Sequence, residues 1–234
     1  MKALGRISLL ALIISFLSIN LCYGQSVAEQ NCTKGAEYGA QGKFKEAKGE
    51  FEKALKVDPF YRPAKRALKV IEDVIGRKIK SKTAIHLFKG MSYGKKGHYD
   101  EAISDYNKAI KLNPRLAEAY VYRGFVYYKK GQYDKAIFDY NKAIELNPRD
   151  ALAYGIRGIA YQNKDQLEKA VSDYNKAIEL NPKDARAYNN RAVAYFFKRE
   201  YEKSWDDVYK VQNLGVQIPP RFLEALREAS GRQR

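Results

Sequence analysis

Residues 100–114 read DEAISDYNKAIKLNP, residues 134–148 read DKAIFDYNKAIELNP and residues 168–182 read EKAVSDYNKAIELNP. Each copy begins 34 residues after the last. A period of that length marks one supersecondary unit that buries its apolar face only against neighbouring copies, so a solenoid is expected rather than one or two rounded domains. The 234 residues are 45% hydrophobic and 13% aromatic, enough for the long core stripe that a stack needs, and the 19 tyrosines recur inside the period.

The spacing predicts two antiparallel helices per unit. In the first, His86, Tyr120, Tyr154 and Tyr188 are followed four residues on by Gly90, Gly124, Gly158 and Ala192, then by Tyr93, Tyr127, Tyr161 and Tyr195. Steps of four and three keep these residues on one helix face. The second helix repeats Ala102, Ala136 and Ala170, then Tyr106, Tyr140 and Tyr174, then Ala109, Ala143 and Ala177 at the same steps. Alternating small and large residues let a ring on one helix sit on glycine or alanine of another. Glycine inside a helix costs about 1 kcal/mol relative to alanine, so close packing must return more than that. Pro114, Pro148 and Pro182 are expected to stop the second helices, and Asp150 and Asp184 to cap the next ones.

An aromatic, a small residue, Tyr, Ala, an aromatic, Ala and Pro in this order resembles the tetratricopeptide repeat family. The resemblance covers units at 28–61 (Gly35, Tyr38, Ala47, Phe51, Ala54, Pro59), 83–116, 117–150 and 151–184, with a degenerate unit at 185–218, where Ser204, Val208, Val211 and Val216 replace the expected residues. It implies an all-α solenoid of antiparallel helix pairs wound as a right-handed superhelix. Residues 219–234 are expected to close it with a capping helix, from the amphipathic run at 221–229. Residues 62–82 break the period, and a helix is expected from Pro63 to Ile75. One extra helix disturbs the alternation of first and second helices, so the N-terminal unit is expected to sit apart or to turn away.

Two other features bear on location and partners. Lys2 and Arg6 precede an apolar run from Ile7 to Leu21, followed by small residues. That run is shorter than the roughly 20 residues of a spanning helix, so residues 1–24 are expected to be a cleaved export signal, cut between Gly24 and Ala28, and the mature chain periplasmic, in the cell envelope or secreted. Cleavage removes Cys22 and leaves Cys32 without an intramolecular partner. The net charge of +16 concentrates in the insert, in Arg62, Lys65, Arg66, Lys69, Arg77, Lys78, Lys80 and Lys82. Such a patch suits anionic lipid or an acidic partner. No aromatic interleaves it to stack on bases, which argues against nucleic acid.

The supply of catalytic groups is poor, and no enzyme, metal site or cofactor is expected. His86 holds a repeat position occupied elsewhere by Tyr, and His98 stands at the turn before Tyr99. Asp105, Asp139 and Asp173 recur with the packing pattern and are expected on solvated helix faces. Binding is the better expectation. In the family, first helices line the concave side, which maps the ligand stripe onto Leu87, Met91 and Lys95, then Val121, Phe125, Tyr128 and Lys129, then Gly155, Ile159, Gln162 and Asn163, then Asn189, Val193, Phe196 and Phe197. Some members clamp chaperone C-terminal tails with Lys and Asn on this face. Leu87, Met91, Val121 and Phe125 depart from that set, so such tails are expected to be poor ligands. An apolar stripe edged by Lys95 and Lys129 suits a peptide with apolar anchors and acidic flanks. The chain is therefore expected to be a non-enzymatic protein-binding scaffold, the alternative being a membrane-associated assembly factor that uses residues 62–82.

Overall fold

A computed structural model describes residues 27–59 and 61–232, which form twelve helices and, among the described residues, no strand. The expected export signal and Cys22 lie outside them. Helices α1 (Val27–Ala40) and α2 (Phe44–Val57) form the first hairpin, and α3 (Arg62–Ile75) is the inserted helix. Four hairpins follow: α4 (Ser81–Lys95) with α5 (Tyr99–Leu112), α6 (Ala117–Lys129) with α7 (Tyr133–Leu146), α8 (Ala151–Asn163) with α9 (Leu167–Leu180), and α10 (Ala185–Phe197) with α11 (Tyr201–Asn213). The last helix is α12 (Pro220–Ser230).

Every hairpin but the last closes by seating a ring on a backbone; in the last, Ala192 and Val208 take the places of glycine and ring. A Cβ added to Gly90, Gly124 or Gly158 would lie 2.5, 2.7 or 2.6 Å from the ring of Tyr106, Tyr140 or Tyr174. No real Cβ fits there, so glycine is what allows the two helices to approach. The turn inside each hairpin places one residue in the left-handed region, and glycine supplies it at Gly42, Gly97 and Gly131, with φ of 77°, 80° and 71°. Asp165 and Arg199 hold the same position in the later units at φ 58° and 62°, at some cost to a residue with a Cβ. The second helices end two residues before Pro114, Pro148 and Pro182, and Asp150 caps α8, accepting from the amides of Leu152 and Ala153.

A polar ladder joins the units. Arg123 donates through Nε and Nη2 to both carboxylate oxygens of Asp139 at 2.8 and 2.6 Å, and through Nη1 to Asn107 of the preceding unit at 2.5 Å. The pattern returns as Arg157 with Asp173 and Asn141, and as Arg191 with Asp207 and Asn175. In the α4–α5 hairpin His86 Nδ1 meets Asp105 at 2.8 Å instead. These aspartates are buried, Asp139 to 1% exposure, and so do not lie on the solvated faces expected for them. A carboxylate can be buried there because the guanidinium satisfies both of its oxygens, which the sequence pattern of one helix cannot show. Burial pushes the Asp139, Asp173 and Asp207 carboxyls up, and their arginines pull them back part of the way.

The N-terminal hairpin turns back. Glu29 pairs with Lys95, a Cβ on Gly39 would strike the Phe88 ring at 2.5 Å, and Gly42 faces Ile85, so α1 runs antiparallel to α4. Successive first helices of stacked hairpins run parallel, and the single helix α3 between them reverses the relation. Ala64, Ala67, Val70, Ile71 and Val74 of α3 are buried in one cluster with Leu87 and Phe88 of α4, and Ala119 and Val126 of α6. At the other end Phe222 of α12 packs 5.7 Å from Phe196, beside Trp205 and Val208.

Candidate interaction surface

The face formed by the first helices carries two strips, one at their N-terminal turns and one at their C-terminal turns. On the first, α3 lies across three units. Arg62 pairs with Asp184 at 2.5 Å, Arg66 with Asp150, and Lys69 with Glu118 at 4.0 Å. Lys78 pairs with Asp73 within the insert. The basic patch is therefore divided: the two arginines are turned inward, while Lys65, Arg77, Lys80 and Lys82 stay exposed. Packing of the apolar stripe of α3 against α2, and less closely against α4 and α1, within the N-terminal cluster leaves the side that carries Arg62 and Arg66 toward the repeat acids.

The second strip lies on the C-terminal turns of α6 and α8. Phe125 is 43% exposed, with the Lys129 ammonium 5.4 Å from its ring centroid. One turn of helix further on, the Tyr128 hydroxyl accepts from Asn163 Nδ2 at 3.3 Å, and Asn163 also donates to the Ile159 carbonyl at 2.8 Å. Gln162 Oε1 accepts from the Tyr174 hydroxyl at 2.9 Å. Ile159 is half-buried against Ala170, Tyr174 and Ala194. The first of these bonds crosses from one unit to the next, the other two lie within the α8–α9 hairpin, and together they hold an apolar surface with a lysine at its edge.

Other residues expected in the stripe lie elsewhere. Leu87, Val121 and Val193 are buried at 0%, 4% and 2% exposure and cannot touch a ligand. Leu87 is covered by the N-terminal unit, Val121 by packing around Ala143, and Val193 by the cluster that includes α12. Met91 packs against the N-terminal cluster, Lys95 is paired with Glu29, and Phe196 lies under Phe222. Asn189 is half-buried on α10. The surface is thus shorter than expected, because the chain's own ends cover both of its flanks and packing between neighbouring hairpins takes in Val121. His98 is exposed and 3.5 Å from Glu101. Among the described residues no helix is long and apolar enough to cross a membrane.

Family models described as "Tetratricopeptide repeat" match residues 29–61, 117–150 and 139–172, and one described as "TPR repeat" matches 90–131 and 163–197. Among solved structures, "Crystal structure of MamA" is similar at 25% identity and TM-score 0.56, over 77% of this chain and 94% of that one. A structure titled for the Pseudomonas aeruginosa protein pilF is similar at 18% identity and TM-score 0.60, over 88% and 85%. "First TPR of Spaghetti (RPAP3) bound to HSP90 peptide SRMEEVD" matches at 32% identity and TM-score 0.48, over 50% and 92%. No curated protein matches the chain.

Proposed function

We propose, from the premise that this chain belongs to the tetratricopeptide repeat family, that it is a non-enzymatic scaffold holding a segment of another protein against the open strip on α6 and α8. The observation that carries this reading is Phe125, a large ring left 43% exposed on the first-helix face, where Met91 and Ile159 at the same repeat position are half-buried and Val193 is buried, with Lys129 over one face; the more exposed Phe138 and Tyr209 stand on second helices. Exposed aromatic surface beside fixed polar groups is what a peptide anchor uses. The strip is held by stacking and by the Tyr128–Asn163 bond, so little of it has to be ordered on binding. Lys129 favours acidic residues beside the apolar anchor. We place the protein outside the cytoplasm on the strength of its leading segment. The alternative, a membrane-associated assembly factor, draws on only part of the insert, since Arg62 and Arg66 already have carboxylate partners.

The test is capture of partners from a native extract by wild type and by the Phe125→Ala, Ile159→Ala variant at two salt concentrations, read by mass spectrometry. A partner lost with the variant at both salts is expected. Partners kept by the variant but released by salt would overturn the reading in favour of the exposed lysines of the insert. The comparisons lend no support to the expectation that chaperone tails are poor ligands, so a chaperone-tail peptide belongs among the probes.

A further inference from the structure

Three carboxylates stand in a row along the first turns of successive first helices: Glu118 on α6, Asp150 before α8 and Asp184 before α10. They stand at the openings of three successive hairpins, so the row exists only when the hairpins are stacked. Against them lie Arg62, Arg66 and Lys69, at steps of four and three along α3, which puts all three on one helix face. Two periods meet here. The acids are spaced by the repeat and the bases by the helical turn, and α3 runs against the chain order of the units. The arginine pairs are sheltered, with side-chain exposures of 23% and 8% for Arg62 and Asp184, and 14% and 9% for Arg66 and Asp150.

The middle member of the row is preformed, whereas the Asp184 side chain makes no cap bond to its helix. Asp150 accepts the amides of Leu152 and Ala153 through Oδ1 while Oδ2 receives Arg66, so its carboxylate is held whether or not an arginine is present. The fit of α3 is incomplete. The Tyr122 hydroxyl, one turn after Glu118 and within the field of Arg66, is buried with no hydrogen-bond partner among the described residues. A polar group supplied by another helix could satisfy it. The link from α3 to α4 turns at Arg77, which holds φ at 58° like Asp165 and Arg199 in the later turns, at some cost to a residue with a Cβ.

We propose that the row Glu118, Asp150 and Asp184 is a docking strip for a basic amphipathic helix, filled at rest by the chain's own α3 and open to a partner helix of the same chemistry. The partner carries arginine or lysine at i, i+4 and i+7, with an apolar stripe beside them like that of Ala64, Ala67, Val70, Ile71 and Val74. It exchanges with α3 rather than adding to it. Its apparent affinity is therefore its intrinsic affinity multiplied by the fraction of chains in which α3 is released. Phe125 and Ile159 lie at the other ends of the helices, so this strip stands or falls independently of the peptide-binding reading.

The probe is a fluorescent peptide with the sequence of residues 61–76, titrated against the full chain by anisotropy. Arg62→Glu with Arg66→Glu loosens the internal helix and leaves the acids in place. The peptide should bind this variant roughly tenfold or more tighter than wild type, because the competing occupant is weakened. Adding Asp150→Asn and Asp184→Asn should abolish the gain, whereas Phe125→Ala with Ile159→Ala should leave peptide binding unchanged. Alkylation of Cys32 should speed up in the arginine variant, as α3 stops shielding α1. Helix content by circular dichroism checks the fold, and Arg66→Gln alone serves as the milder variant if the double one unfolds. No binding to a folded arginine variant, or binding that survives loss of Asp150 and Asp184, would overturn the proposal and leave α3 as a fixed wall of the fold.

Discussion

Arg157→Ala is the sharpest test of the ladder that joins the units. Both oxygens of Asp173 accept from Arg157, at 2.7 and 2.6 Å, in a site where the two side chains are 6% and 17% exposed. The guanidinium also lies 5.4 and 5.8 Å from the Tyr154 and Tyr161 ring centroids. Removing one member of a buried ion pair costs about 3–5 kcal/mol, since a charge is left unsolvated. The carboxylate has one escape, which is to take up a proton. From an unfolded value near 3.9 to pH 7 that costs roughly 4 kcal/mol, at 1.36 kcal/mol per unit, and so sets the ceiling. The expected loss at neutral pH is therefore about 3–4 kcal/mol.

The sign of the pH dependence follows. Burial already pushes the Asp173 carboxyl above its unfolded value, and without Arg157 it rises further, so the folded variant binds a proton more tightly than its unfolded chain. The penalty is full near pH 7 and fades as pH falls toward the unfolded value. Urea unfolding at pH 7 and pH 5, followed by circular dichroism and by the fluorescence of the single tryptophan, Trp205, measures both effects. Arg157→Leu with Asp173→Leu should regain most of the loss, because no charge is then left buried. A cost under about 1 kcal/mol at pH 7, or a deficit that does not shrink at pH 5, would refute this reasoning.

Two glycines on first helices should respond in opposite directions. A Cβ at Gly155 meets nothing within 4 Å, so Gly155→Ala should stabilise by roughly 0.5–1 kcal/mol, read as a higher melting temperature. At Gly124 a Cβ would strike the Tyr140 ring at 2.7 Å, and Gly124→Ala should instead cost about 1–3 kcal/mol. Burial pushes the Cys32 thiol up to about 12, so alkylation at pH 8 should run slower than in urea by roughly a thousandfold. Peptide mapping that found Cys32 modified at a rate within about tenfold of the denatured chain would mean that α1 is not closed on α4.

The fold class is legible in the chain itself. The pairing of Gly90, Gly124 and Gly158 with Tyr106, Tyr140 and Tyr174 can be read from spacing because each contact repeats at the same offset, and a repeated local offset shows itself in one sequence. The ladder carries the same kind of signal. Arg123, Arg157 and Arg191 recur with Asp139, Asp173 and Asp207 at an unchanged separation, and only the habit of placing carboxylates in solvent hides it. The candidate surface is half legible. Phe125 keeps its exposure and Ile159 part of it, while Leu87, Val121 and Val193 are buried. Nothing local separates these residues, because all sit on the same face of equivalent helices.

By itself the sequence determined the repeat, the hairpin and the side chains that close each unit, since their partners lie within one period. Only the tertiary structure decided which part of the first-helix face stays open. The single helix α3 reverses the N-terminal hairpin, α1 then closes on α4, and Arg66 and Arg62 reach the carboxylates that open α8 and α10. Those contacts depend on how the stack curves back on itself, and an ion pair formed across 84 residues, as between Arg66 and Asp150, leaves no periodic trace in the chain.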